Sequence, residues 1–86
     1  MALRMQIIKQ DINIGANLRK IRKNLKLTQP QTIAKMHLLG STMSRSTYSN
    51  IEGGIRNIKV SDLIILKMVF GVEYDEIFDG LFEFSD

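Results

Sequence analysis

Between Ser44 and Glu52 the chain places a guanidinium, two hydroxyls and a carboxamide at Arg45, Ser46, Ser49 and Asn50. If this stretch is a helix capped by Ser44, Tyr48 and Ile51 stand three apart and take its buried side, which leaves those four residues on the outer one. A guanidinium is a planar fork of donors, and a carboxamide sets a donor beside an acceptor, so both can make paired hydrogen bonds to a partner with two adjacent polar edges. This is the chemistry of recognition rather than of bond breaking. Further polar and basic side chains flank the segment: Gln29 before it, Ser44 and Thr47 at its start, and Arg56, Asn57 and Lys59 after it.

The charge distribution says what kind of partner such a surface suits. Up to residue 60 there are eleven Lys and Arg against two carboxylates, a balance of +9; from residue 61 onward there is one Lys against seven carboxylates, a balance of −6. A basic front and an acidic back predict one face turned toward a polyanion. Catalytic and metal chemistry is poorly provided for. His37 is the only histidine and cysteine is absent, so neither a thiolate site nor a histidine triad can be built. Glu73, Asp75, Glu76 and Asp79 lack the spacing of a calcium loop and read as a solvated acidic face. Gly53-Gly54 has no preceding strand or following lysine for a phosphate loop. The five methionines read as filler in a small core. No enzymatic activity, cofactor or metal is expected.

Eighty-six residues with 44% hydrophobic and 24% charged content predict one ordinary globular domain. No apolar run near the start, Ile7-Ile8 included, exceeds three residues, too short for a signal-peptide core or a membrane span, so a cytoplasmic location is expected.

The apolar spacing is helical between glycine breaks. Ile14, Leu18, Ile21 and Leu25 lay one stripe along a first helix, which Asp11 or Asn13 can cap. Thr28 is a good cap for a second, with Pro30 in its first turn, Ile33 and Met36 inward and His37 at the core edge. Met43 ahead of Ser44 can staple to Tyr48 in the third. After it, either Gly53 or Gly54 can take the left-handed terminal conformation. Ser61 is the predicted cap of a fourth helix, with Asp62 in its first turn and Leu63, Ile64, Leu66, Val69 and Phe70 making it heavily apolar. A short fifth helix runs from Tyr74 to Asp79. No convincing strand is visible. The expected organisation is an arm over 1–12, a domain over 13–80 and a tail over 81–86.

Leu27-Thr28-Gln29, then Ser44-Arg45-Ser46-Thr47, then Ile51-Glu52-Gly53-Gly54, in this order, resembles the phage-repressor, or XRE-type, helix-turn-helix family. The resemblance runs over about residues 13–80 and implies an all-α, five-helix lambda-repressor-like DNA-binding domain. It implies that the helix from Ser44 to Glu52 enters the major groove of double-stranded DNA. Arg45 can then face guanine, or phosphate alone, and Asn50 can face adenine, with Ser46 and Ser49 free to meet either base or phosphate. Gln29, Ser44, Thr47, Arg56, Asn57 and Lys59 become candidates for the DNA backbone, Gln29 alternatively bracing a recognition residue. Arg22, seven residues before Gln29, becomes the structural partner of Glu52, not a reader. The implied role is a transcriptional repressor acting as a homodimer. Ile77, Phe78, Leu81, Phe82 and Phe84 are the candidate dimer patch, unless they simply close the core. The alternative is an antitoxin-like module that uses the same fold to bind a protein partner.

One departure stands out. The family pattern passes from the second helix through a tight turn into the cap of the third. Here six residues, His37 to Thr42, stand between Met36 and Met43, implying a longer second helix or a looped turn.

Overall fold

The computed structural model describes residues 6–8 and 14–84. Five helices carry the fold: α1 (Gly15–Asn24), α2 (Gln29–Leu38), α3 (Arg45–Glu52), α4 (Val60–Phe70) and α5 (Tyr74–Ile77). The helix α1 packs on α3 and α5, and α2 packs on α3 and α4. Their meeting point is a core of Leu18, Ile33, Met36, Tyr48, Ile51, Leu66, Phe70 and Ile77, with Met43 and Ile21 at its margin. Besides packing on each other, α2 is therefore backed by α4 and α3 by α1, which fixes the orientation of the pair.

Local chemistry explains the helix boundaries. Thr28 and Gln31 form a reciprocal capping box at the start of α2, with Pro30 in the first turn. The buried Thr32 spends its hydroxyl inside the helix, donating to the Thr28 carbonyl at 2.9 Å. Ser44 caps α3 by accepting from the Thr47 N–H. The ends of α1, α2 and α3 share one device, in which two backbone N–H groups reach back to the last free carbonyls. At α2 these are Ser41 to Met36 at 3.1 Å and Gly40 to His37 at 3.0 Å, with Gly40 at φ +100°. At α3 they are Ile55 to Asn50 and Gly54 to Ile51, which assigns the left-handed position to Gly54. At α1 the left-handed position falls to Lys26, at φ 60°.

Several expectations are corrected. Ser61 does not cap α4. The helix opens one residue before it, with Lys59 in the cap position and the Lys59 carbonyl accepting from Leu63 at 3.0 Å. The first helix has Ile14 in its cap position with no side-chain bond; Asp11 and Asn13 lie outside the described residues. Leu25 closes its stripe poorly, because α1 has already turned out of helix there and leaves it exposed. The connector combines both forms: α2 runs on through His37 to Leu38, and a looped turn then leads to the Ser44 cap, leaving Leu38 and Leu39 exposed. The fifth helix stops at Ile77 rather than Asp79, where the Asn17 carboxamide takes the carbonyls of Ile77 and Asp79 at 2.8 and 2.9 Å. Finally, a short antiparallel ladder pairs β1 (Gln6–Ile8) with β2 (Phe82–Phe84), in the register Gln6 to Phe84, Ile7 to Glu83 and Ile8 to Phe82. Three residues a side are too few for period-two patterning to stand out in the sequence.

Candidate nucleic-acid interface

The base of α3 is locked to α1 by charge. Arg22 donates from Nε to Glu52 Oε2 at 2.7 Å and from a terminal nitrogen to Oε1 at 3.0 Å, the two-pronged geometry suited to a guanidinium and a carboxylate. Its other terminal nitrogen donates to the Leu27 carbonyl at 2.8 Å. Gln29 adds a third bond to Glu52, Nε2 to Oε1 at 3.0 Å. Burial works most strongly against the charged form of Glu52, but the hydrogen bonds from Arg22, Tyr48 and Gln29 with the Arg22 charge together outweigh it and hold the carboxyl below its usual value. The Tyr48 hydroxyl is enclosed beside this pair without a hydrogen bond of good geometry. Burial, and then the nearby Glu52 carboxylate, push its pKa well above the usual phenol range.

With Tyr48, Ile51 and Glu52 buried, α3 turns its opposite side outward. Arg45, Ser46 and Ser49 are exposed, and Asn50 is half-buried at the edge of that side. Beside it lies an open cleft of about 290 Å³. It brings together Ser44, Thr47, Arg56, Asn57 and Lys59, five of the six residues singled out for a phosphate backbone. The sixth, Gln29, stands apart from the cleft and keeps one N–H beyond its bond to Glu52. Ser44 has no free proton: its hydroxyl donates to Thr47 Oγ1 at 3.0 Å while capping the Thr47 N–H. The Thr47 hydroxyl accepts that bond, and Thr47 lines the cleft.

Two lining residues were missed by sequence reasoning. Thr42 sits exposed in the cleft wall, and Asp62 puts a carboxylate among the cations. Its place two residues before Ser44 was a signal for the first. For Asp62 there was none, since only folding carries the start of α4 to the connector, where Ser41 Oγ donates to Asp62 Oδ1 at 2.8 Å. The proposed apolar patch is divided. Ile77 is fully enclosed and closes the core, Leu81 is half-buried, and Phe78 is exposed in a stack on Tyr74. The side chains of Phe82 and Phe84 lie outside what is described. No helix among the described residues is long and apolar enough to cross a membrane.

A family model described as helix-turn-helix matches residues 18–77, from the first core leucine of α1 to the end of α5. No curated protein and no solved structure gives a match.

Proposed function

Because the chain belongs to the helix-turn-helix family of DNA-binding domains, of the phage-repressor type, we propose that it is a sequence-specific transcriptional regulator that lays α3 in the major groove. The observation that carries this reading is the pairing of an outward polar side on α3 with a neighbouring cleft that gathers Thr47, Arg56, Asn57 and Lys59. Arg45, Ser46, Ser49 and Asn50 read base edges, where a bidentate contact discriminates by about 1–3 kcal/mol. The cleft takes phosphate oxygens, aided by the positive end of α3, while Ser44 holds that end in shape and Gln29 spends its remaining N–H on the backbone.

One reader helix spans too few base pairs for genomic specificity. We therefore propose a homodimer on a near-palindromic site, with half-sites about 34–36 Å apart or a multiple of that. The surface offered for pairing is Phe78 and Tyr74 with Ile64 and Met68 of α4, all exposed, in place of the buried Ile77. Repression needs nothing more than occupancy of such a site. The same exposed side chains favour a second reading, in which they bind a different protein, as an antitoxin-like module does.

Selection of duplexes from a random pool tests the first reading. Enrichment of a symmetric motif is expected. No enrichment, together with stoichiometric capture of a protein partner through the Phe78 surface, would favour the second.

A further inference from the structure

The connector between α2 and α3 is built as a clamp on one residue, Met43. Met43, the residue just before the Ser44 cap, has its side chain buried in the core. Its N–H donates to Ser41 Oγ at 3.1 Å. Its carbonyl lies 2.7 Å from His37 Nε2, and a carbonyl can only accept, so that ring nitrogen carries the proton. Ser41 is itself buried and passes its own hydroxyl hydrogen to Asp62 on α4. A looped connector would ordinarily let the following helix swing, but here it is tied to α2 through His37, to α4 through Ser41 and to the core through Met43. From this we infer that His37 and Ser41 are positioning residues for the reader helix: they set the direction in which α3 leaves the connector and thereby which bases it meets. His37 is exposed, and its hydrogen bond to the Met43 carbonyl is its tie to the start of α3.

The inference deepens the DNA-reading role and rests on it for its effect on specificity; the geometry of α3 gives a second readout that needs no DNA. The test compares the full chain with His37→Ala and with His37→Gln, whose amide restores a donor near the Nε2 position. In His37→Ala, amide hydrogen exchange at Thr47 and Tyr48 rises about tenfold, the factor one net hydrogen bond carries, while amides of α1 and α4 keep their rates. On the selected duplex the ratio of specific to non-specific affinity falls about tenfold, the same factor, and non-specific binding is unchanged. His37→Gln restores both. If α3 exchange and the affinity ratio are both unaltered in His37→Ala, the clamp is not what positions the helix and the inference is overturned. If the wild-type chain selects no duplex, the DNA-reading role fails on its own, and α3 exchange alone decides the clamp.

Discussion

Arg22 on α1 and Glu52 at the end of α3 meet through two hydrogen bonds at 2.7 and 3.0 Å, both side chains almost entirely out of water. The pair joins the helix that presents the reading surface to a helix on the far side of the core. Desolvation offsets most of what such a pair gains, so its value lies in fixing one orientation of α3 rather than in net stability.

Breaking it from one side is therefore costly. Arg22→Met leaves the Glu52 carboxylate buried without its cation, with the Gln29 bond and the neighbouring Tyr48 hydroxyl as its remaining support, and the expected loss is about 3–5 kcal/mol in urea unfolding. Adding Glu52→Met removes the orphaned charge and should recover a large part of that loss. A double variant as unstable as the single one would show that lost packing, not lost charge pairing, sets the cost.

The same cluster shapes stability against pH. Glu52 titrates lower in the folded chain than its ordinary value of 4.5, so its contribution is full above that value and is lost as pH falls through the folded pKa. Tyr48 titrates higher than its ordinary 10.0, so its contribution is full below that value and declines as pH rises beyond it. Unfolding curves across pH should show both limbs. Tyr48→Phe should erase the alkaline limb and make the acid limb shallower, since the hydroxyl is one of the groups that hold the Glu52 carboxyl in its charged form.

Lys26 occupies the left-handed position that closes α1, at φ 60°, with its side chain exposed. A β-carbon is unfavourable there by about 1–2 kcal/mol, less what the unfolded chain gains in freedom from glycine. Lys26→Gly should raise the thermal midpoint, by an amount corresponding to up to about 1 kcal/mol. A lower midpoint would mean that the lysine makes a compensating contact.

In the cleft, charge sets affinity but not sequence preference. Arg56→Ala and Lys59→Ala should each weaken all duplexes alike and reduce the slope of log affinity against log salt by about one. Asp62→Asn keeps an oxygen to accept from Ser41 while removing the carboxylate charge, and should tighten binding several-fold at low salt. Filter-binding titrations over a salt series measure all three.

The helices were legible in the sequence because their determinants are local. Thr28 with Pro30, and Ser44 ahead of Tyr48 and Ile51, announce helix starts within a few residues. The Arg22–Glu52 pairing is long-range and was implied only by resemblance. What stayed hidden depends on folded distance. The Lys59 cap prevails over Ser61 because α4 is placed by Leu66 and Phe70 in the core, not by its first side chain. The His37–Met43 and Ser41–Asp62 bonds look like spare polar residues in a loop until α2 and α4 converge. The β1–β2 ladder joins segments more than seventy residues apart through only three residue pairs.

The central claim is that α3 reads bases, with Arg45 on its exposed side as one reader. The direct measurement is parallel duplex selection from one random pool with the wild-type chain and with Arg45→Ala. The account predicts the same symmetric motif from both, with base preference relaxed in Arg45→Ala at one position of each half-site. An identical motif at every position would contradict Arg45 as a reader and leave it a phosphate contact, and a motif unchanged by like substitutions at Ser46, Ser49 and Asn50 as well would contradict base reading by α3 altogether.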